Sequence, residues 1–193
     1  MFVRSLSIGV AAAALLAGGA QAADLIIPTT PQPIYEAAGF DWEGLYVGAR
    51  VGGQFTGNHV YNASPVNTTS GVIGGVVGVN FIPMDPLLLG AEITGDYIWQ
   101  GNTHSAEFFA NLRAGAIVTD SVLVYALGGV GMQSHNAGSS DGLYQVGAGV
   151  ELAVTDSVTV RGEVVGQGDF SHTGASDSFF EATKATVGVF YHF

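Results

Sequence analysis

From about Glu43 onward, apolar and polar residues alternate with a period of two, the pattern of strands that bury one face. In the first such segment Leu45, Val47, Ala49, Val51 and Phe55 share a face, opposite Tyr46, Gly48, Arg50, Gly52 and Gln54. The alternation returns near Ser70–Phe81, Leu87–Trp99, Glu107–Val118, Val122–Gln133, Tyr144–Val154, Val158–Gln167 and Thr183–Phe193. Short polar connections separate alternate pairs. Val118-Thr119-Asp120-Ser121-Val122 and Val154-Thr155-Asp156-Ser157-Val158 repeat one turn sequence, and Pro83 to Pro86 makes a third turn. The other connections are longer, near Thr56–Thr69, Gln100–Ser105, Ser134–Gly142 and Gly168–Phe180.

The two faces differ in chemistry. No charge falls on the apolar face. Arg50, Arg113, Arg161 and Lys184 lie on the other, with Glu92, Asp96, Glu107, Glu151 and Glu163. A soluble ligand-binding barrel carries its bulky apolar groups inside. The opposite sorting predicts lipid outside and a polar, filled lumen inside. The expected fold is all-β, an eight-stranded antiparallel up-and-down transmembrane β-barrel. The even strand count puts both ends of the barrel on one side, the periplasm, with short turns there and longer loops outside. Aromatic residues fit two interfacial girdles: Phe55, Tyr97, Trp99, Phe108 and Tyr144 at outer strand ends, and Phe81, Tyr191 and Phe193 at periplasmic ends.

Composition agrees. Hydrophobic residues make up 48% of the 193 and charged residues only 11%, against roughly 25% charged in soluble domains. Yet no apolar run reaches the ~18 residues of a membrane-spanning helix. Residues 1–22 read as a signal peptide, with Arg4, an apolar core from Ile8 to Ala17, and Ala20-Gln21-Ala22 predicting cleavage after Ala22. Residues 23–41, with Pro28, Pro31 and Pro33, read as a periplasmic arm, and 42–193 as the barrel. The absence of cysteine excludes disulfides and thiolate metal sites. With 5 basic residues against 16 acidic, nucleic acid is not an expected partner.

Trp42-Glu43-Gly44-Leu45-Tyr46-Val47-Gly48 resembles the W-x-G-x-Y-x-G opening strand of the small porin-like, OmpA-type surface barrels of alphaproteobacteria. Gly74 to Phe81 is similar to their second strand, and Gly90-Ala91-Glu92 and Arg161-Gly162-Glu163 match further motifs. Val187-Gly188-Val189-Phe190-Tyr191-His192-Phe193 resembles their terminal strand. The resemblance implies that Val187, Val189, Tyr191 and Phe193 form the signal read by the barrel-assembly machinery. It spans about Trp42 to Phe193, and the arm lacks the family's peptidoglycan-binding domain.

An eight-stranded lumen is just wide enough for side chains to fill, so its four cations must be paired with Glu92, Asp96, Glu107, Glu151 and Glu163. Such a network acts as a plug or as a switchable gate, and the narrow bore favours the plug. His59, His104, His135 and His172 fall one in each outer loop, where imidazoles bind Zn²⁺ or Cu²⁺ or sense acid. None has a local ligand spacing, so no metal site and no cofactor is assigned. His192 reads as structural. Ser171-His172 with Asp169 has the residue types of a Ser/His/acid set, but neighbours in one loop rarely have its geometry. Asn67-Thr68-Thr69 matches a glycosylation pattern without its machinery. No catalytic residue is assigned. The expectation is a non-enzymatic outer-membrane surface protein that supports the envelope, sits among lipid and lipopolysaccharide, and meets host, phage or envelope partners through its loops. A narrow pore for small solutes or ions is the alternative.

Overall fold

The computed structural model describes residues 39–56, 68–135, 140–170 and 180–193. Each alternating segment is a strand: β1 Gly44–Thr56, β2 Thr68–Met84, β3 Leu87–Gln100, β4 Thr103–Thr119, β5 Val122–His135, β6 Ser140–Ala153, β7 Val158–Asp169 and β8 Ala182–His192. Neighbours in sequence pair antiparallel, and β8 returns to β1 to close the barrel. Val51 lies opposite Ile73 on one side and Val187 on the other. Closure leaves no strand edge unpaired, which a sheet in hydrocarbon requires.

Tight turns at Asp85-Pro86, Asp120-Ser121 and 154–157 gather at one end, here the turn end, together with Gly39 and Phe193. At the opposite loop end the connection expected over Gln100–Ser105 is shorter than its composition suggests. Only Gly101 and Asn102 form it, and Gly101 has φ +57°, a conformation glycine adopts without penalty. His104 is therefore a β4 residue paired with Trp99, and His135 is a β5 residue paired with Ser105. Neither sits in a loop.

The apolar face points outward. Ile93 near the middle of β3 is 60% exposed and Leu112 in β4 is 71% exposed. With Val51, Val77, Val130 and Val164 they form a continuous greasy belt that water would not tolerate on a monomer. Phe81, Tyr97, Trp99, Phe108, Tyr191 and Phe193 face outward near the strand ends. Inside, glycine makes room for rings. A Cβ on Gly48 would overlap the Phe190 ring, and one on Gly78 would overlap the Tyr46 ring.

The lumen is less uniformly polar than alternation suggests. Val72, Val76, Leu88, Ile98, Phe109, Leu123 and Val165 all point inward and are buried. Leu88, Leu123, Leu127 and Val165 cluster with Trp42 and Tyr125, so hydrocarbon as well as charge fills the bore.

Candidate functional site: a cross-braced lumen

Alternation carries the ionic residues inward, and the narrow bore forces them into contact. Arg50 of β1 grips Asp96 of β3 through Nε to Oδ1 at 2.9 Å and Nη2 to Oδ2 at 2.7 Å. Its Nη1 donates to Glu163 Oε1 of β7 at 3.0 Å. Lys184 of β8 donates to Asp96 Oδ2 at 2.6 Å and to Glu107 Oε2 of β4 at 2.9 Å. One brace thus joins five strands. Bidentate and charge-assisted bonds of this kind are the strong ones.

A second brace lies nearer the turn end. Arg161 donates from Nη1 to Glu92 Oε1 at 2.7 Å and from Nε to Glu151 Oε2 at 3.0 Å. Arg113 donates from Nη1 to the same Glu151 oxygen at 3.0 Å, and from Nε and Nη2 to Asn80 Oδ1 at 3.1 and 2.7 Å. Both guanidiniums stack on rings, with Arg113 over Tyr46 at 4.8 Å and Arg161 over Phe190 at 3.9 Å. Ring faces attract cations most where water is excluded.

Five carboxylates face four cations, and neutral donors hold the surplus charge. The Tyr46 hydroxyl donates to Glu92, the Tyr125 hydroxyl to Glu163 at 2.6 Å, and the Thr159 hydroxyl to Glu151 at 2.6 Å. His192 Nε2 sits 3.1 Å from the same Glu151 oxygen and its ring stacks on Tyr46. Toward the loop end the braces give way to carboxamides, which alternation had placed on the polar face. Gln54 and Gln167 both donate to Glu107, at 3.1 Å each, and Gln145 donates to Asn111 at 2.6 Å. Their only sequence signal is inward parity without charge.

The turn end is capped by the segment before β1. Phe40 packs edge-on against Trp42 at 4.7 Å and against His192 at 4.9 Å. Phe40 N donates to Asp120 O at 3.2 Å. Asn80 Nδ2 donates to Trp42 O at 2.9 Å, so Asn80 links the cap to the Arg113 brace. At the loop end Gln54, Glu107, Gln133 and Gln167 line an open recess of about 260 Å³.

All nine predicted lumen residues, Arg50, Glu92, Asp96, Glu107, Arg113, Glu151, Arg161, Glu163 and Lys184, are thus placed inside and together. The structure does not unite the histidines. His104 stacks on Tyr97 at 5.9 Å, whereas the His135 side chain, His59 and His172 lie outside what is described. No group of three or more metal-ligating side chains occurs among the described residues. The segment expected to be a signal peptide, the expected arm to residue 38, Asn67 and Ser171 also lie outside the described residues. Val187, Val189, Tyr191 and Phe193 form an outward row on and just after β8, where Tyr191 and Phe193 rings meet at 5.1 Å.

No protein-family model matches the sequence, and no curated protein does. Solved structures do. The N-terminal β-barrel domain of Pseudomonas aeruginosa OprF matches at 15% identity over 77% of this chain and 97% of its own, with TM-score 0.50. Neisserial surface protein A matches at 16% identity over 78% of this chain and 97% of its own, with TM-score 0.51. With its greasy exterior and braced interior, the chain is a transmembrane β-barrel with the fold of the small eight-stranded outer-membrane barrels.

Proposed function

We propose that this chain is a closed, non-catalytic surface barrel of the outer membrane, exported and cleaved after Ala22, that stiffens the envelope and presents its outer loops to host, phage or envelope partners. The turn end faces the periplasm in this reading, lipid and lipopolysaccharide surround the belt, and the β8 row serves the assembly machinery. The observation that carries it is the fill of the lumen. Two charged braces cross it, and Phe40 and Trp42 lie across its turn end. A narrow bore filled in this way leaves ions little room to pass, and the loops and the rigid wall are then the working parts.

The test is planar-bilayer recording with the refolded mature chain. The expected trace stays at the lipid baseline. A stable unitary conductance would favour the narrow-pore reading, to which the open recess at Gln54, Glu107, Gln133 and Gln167 lends support.

A further inference from the structure

The cations are distributed one-sidedly. Arg50, Arg113, Arg161 and Lys184 are the only Lys or Arg residues after Arg4, and all four are buried in the lumen. Among the described residues the outside is therefore left without Lys or Arg, and its charged side chains are carboxylates. At the turn end Asp41, Glu43, Asp85, Asp120 and Asp156 are all exposed.

Two recesses open on this face, one on each side of Phe40, and Asp120 borders both. The first, of about 450 Å³, has Phe40, Trp42, Ile82 and Ile117 as apolar walls and Asp41 and Asp120 as its acids. The second, of about 530 Å³, is more polar and sets Asp120 beside Asp156. Trp42 is only 1% exposed, and its indole Nε1–H meets no acceptor among the described residues.

We propose that this face is a docking site for a basic peptide segment, which sets one Lys or Arg side chain in each recess beside Phe40. Lysine and arginine carry an aliphatic stem beneath a charged head. The first recess offers the matching order, apolar walls below and carboxylates at the rim. The half-buried Phe40 ring adds a face for a cation. Because Asp120 is shared, two basic side chains close together in one segment fit better than one. A partner of the same sign as this face would be repelled, so the site selects by charge as well as shape.

The experiment uses the full mature chain refolded in neutral detergent and checked for heat-modifiable gel migration. The probe is a fluorescein-labelled pentapeptide with two lysines separated by a glycine, followed by anisotropy. A Trp99→Phe background leaves Trp42 as the sole tryptophan reporter. Saturable binding is expected, with a Trp42 emission change at the same midpoint. Asp120→Asn should weaken it about threefold, the size of one partly exposed charge pair. Asp85→Asn, on the same face but outside both recesses, should leave it nearly unchanged. Equal losses for the two variants would mean diffuse attraction and overturn the site. A silent Trp42, an equal response to Mg²⁺ alone, or binding that appears only after residues 23–38 are removed would each overturn it too. None of these outcomes bears on conductance, so the docking site and the closed barrel fail separately.

Discussion

Asp96 holds Arg50 and Lys184 at once, its two oxygens meeting the Arg50 guanidinium at 2.9 and 2.7 Å while Lys184 Nζ lies 2.6 Å from Oδ2. β3 is thereby tied across the bore to β1 and β8. Replacing the shared anion should be costly, because two buried cations then lose a partner. Asp96→Leu is expected to lower stability by about 3–5 kcal/mol, and Arg50→Lys, which keeps charge but loses the planar fork, by about 1–2 kcal/mol. Equilibrium urea unfolding in lipid vesicles reads both, and equal losses would contradict the bidentate account.

The space above Gly48 is filled by the Phe190 ring, on which Arg161 rests. Gly48→Val should overpack the lumen at a cost of about 1–3 kcal/mol. Pairing it with Phe190→Ala should cost less than the sum of the two single changes, since the smaller side chain vacates the space the larger one needs. Strict additivity would show that the two positions do not compete.

Depth should matter on the outside. Ile93→Arg, in the middle of β3, is expected to cost roughly 2–4 kcal/mol, whereas Met84→Arg, beside a turn, should cost about 0–1 kcal/mol. The same unfolding assay decides it. Similar penalties at both positions would argue against a bilayer around this belt.

Conductance should respond to combinations rather than to single lumen changes. Arg113→Ala opens one brace but leaves Phe40 and Trp42 across the turn end. Its bilayer current is expected to stay at baseline, and to rise only when Trp42→Ala is added. A sharp rise in the single variant would identify the Arg113 brace as the gate.

Strand identity and the facing of every charged lumen residue were legible in the sequence because a period of two maps directly onto inside and outside. Arg50 and Glu92 declared themselves by parity alone. Their partners did not. Arg50 meets Asp96 and Glu163 on strands that are not its neighbours, and such pairings depend on the tilt of the closed sheet, which no local pattern encodes. Val76 and Phe109 were also hidden. Each follows or precedes an apolar outward residue, so a run such as Val76-Val77 reads as one greasy step rather than as two faces. The capping role of Phe40 was invisible for another reason: it precedes the alternation and becomes apparent only through its contacts with Trp42 and His192. The Gly101-Asn102 turn shows the limit of composition, since polar residues at a strand end resemble a loop until pairing extends through them.

The return of β8 onto β1 has a kinetic corollary. Until that last seam zips, the inward side chains of a half-made sheet would face acyl chains with part of their counter-ion set missing. Arg50 needs β3 and β7, and Lys184 needs β3 and β4, so no contiguous half of the wall is electrically complete. Partial insertion is therefore penalised at every stage, and the sheet should enter the bilayer in one concerted passage rather than hairpin by hairpin.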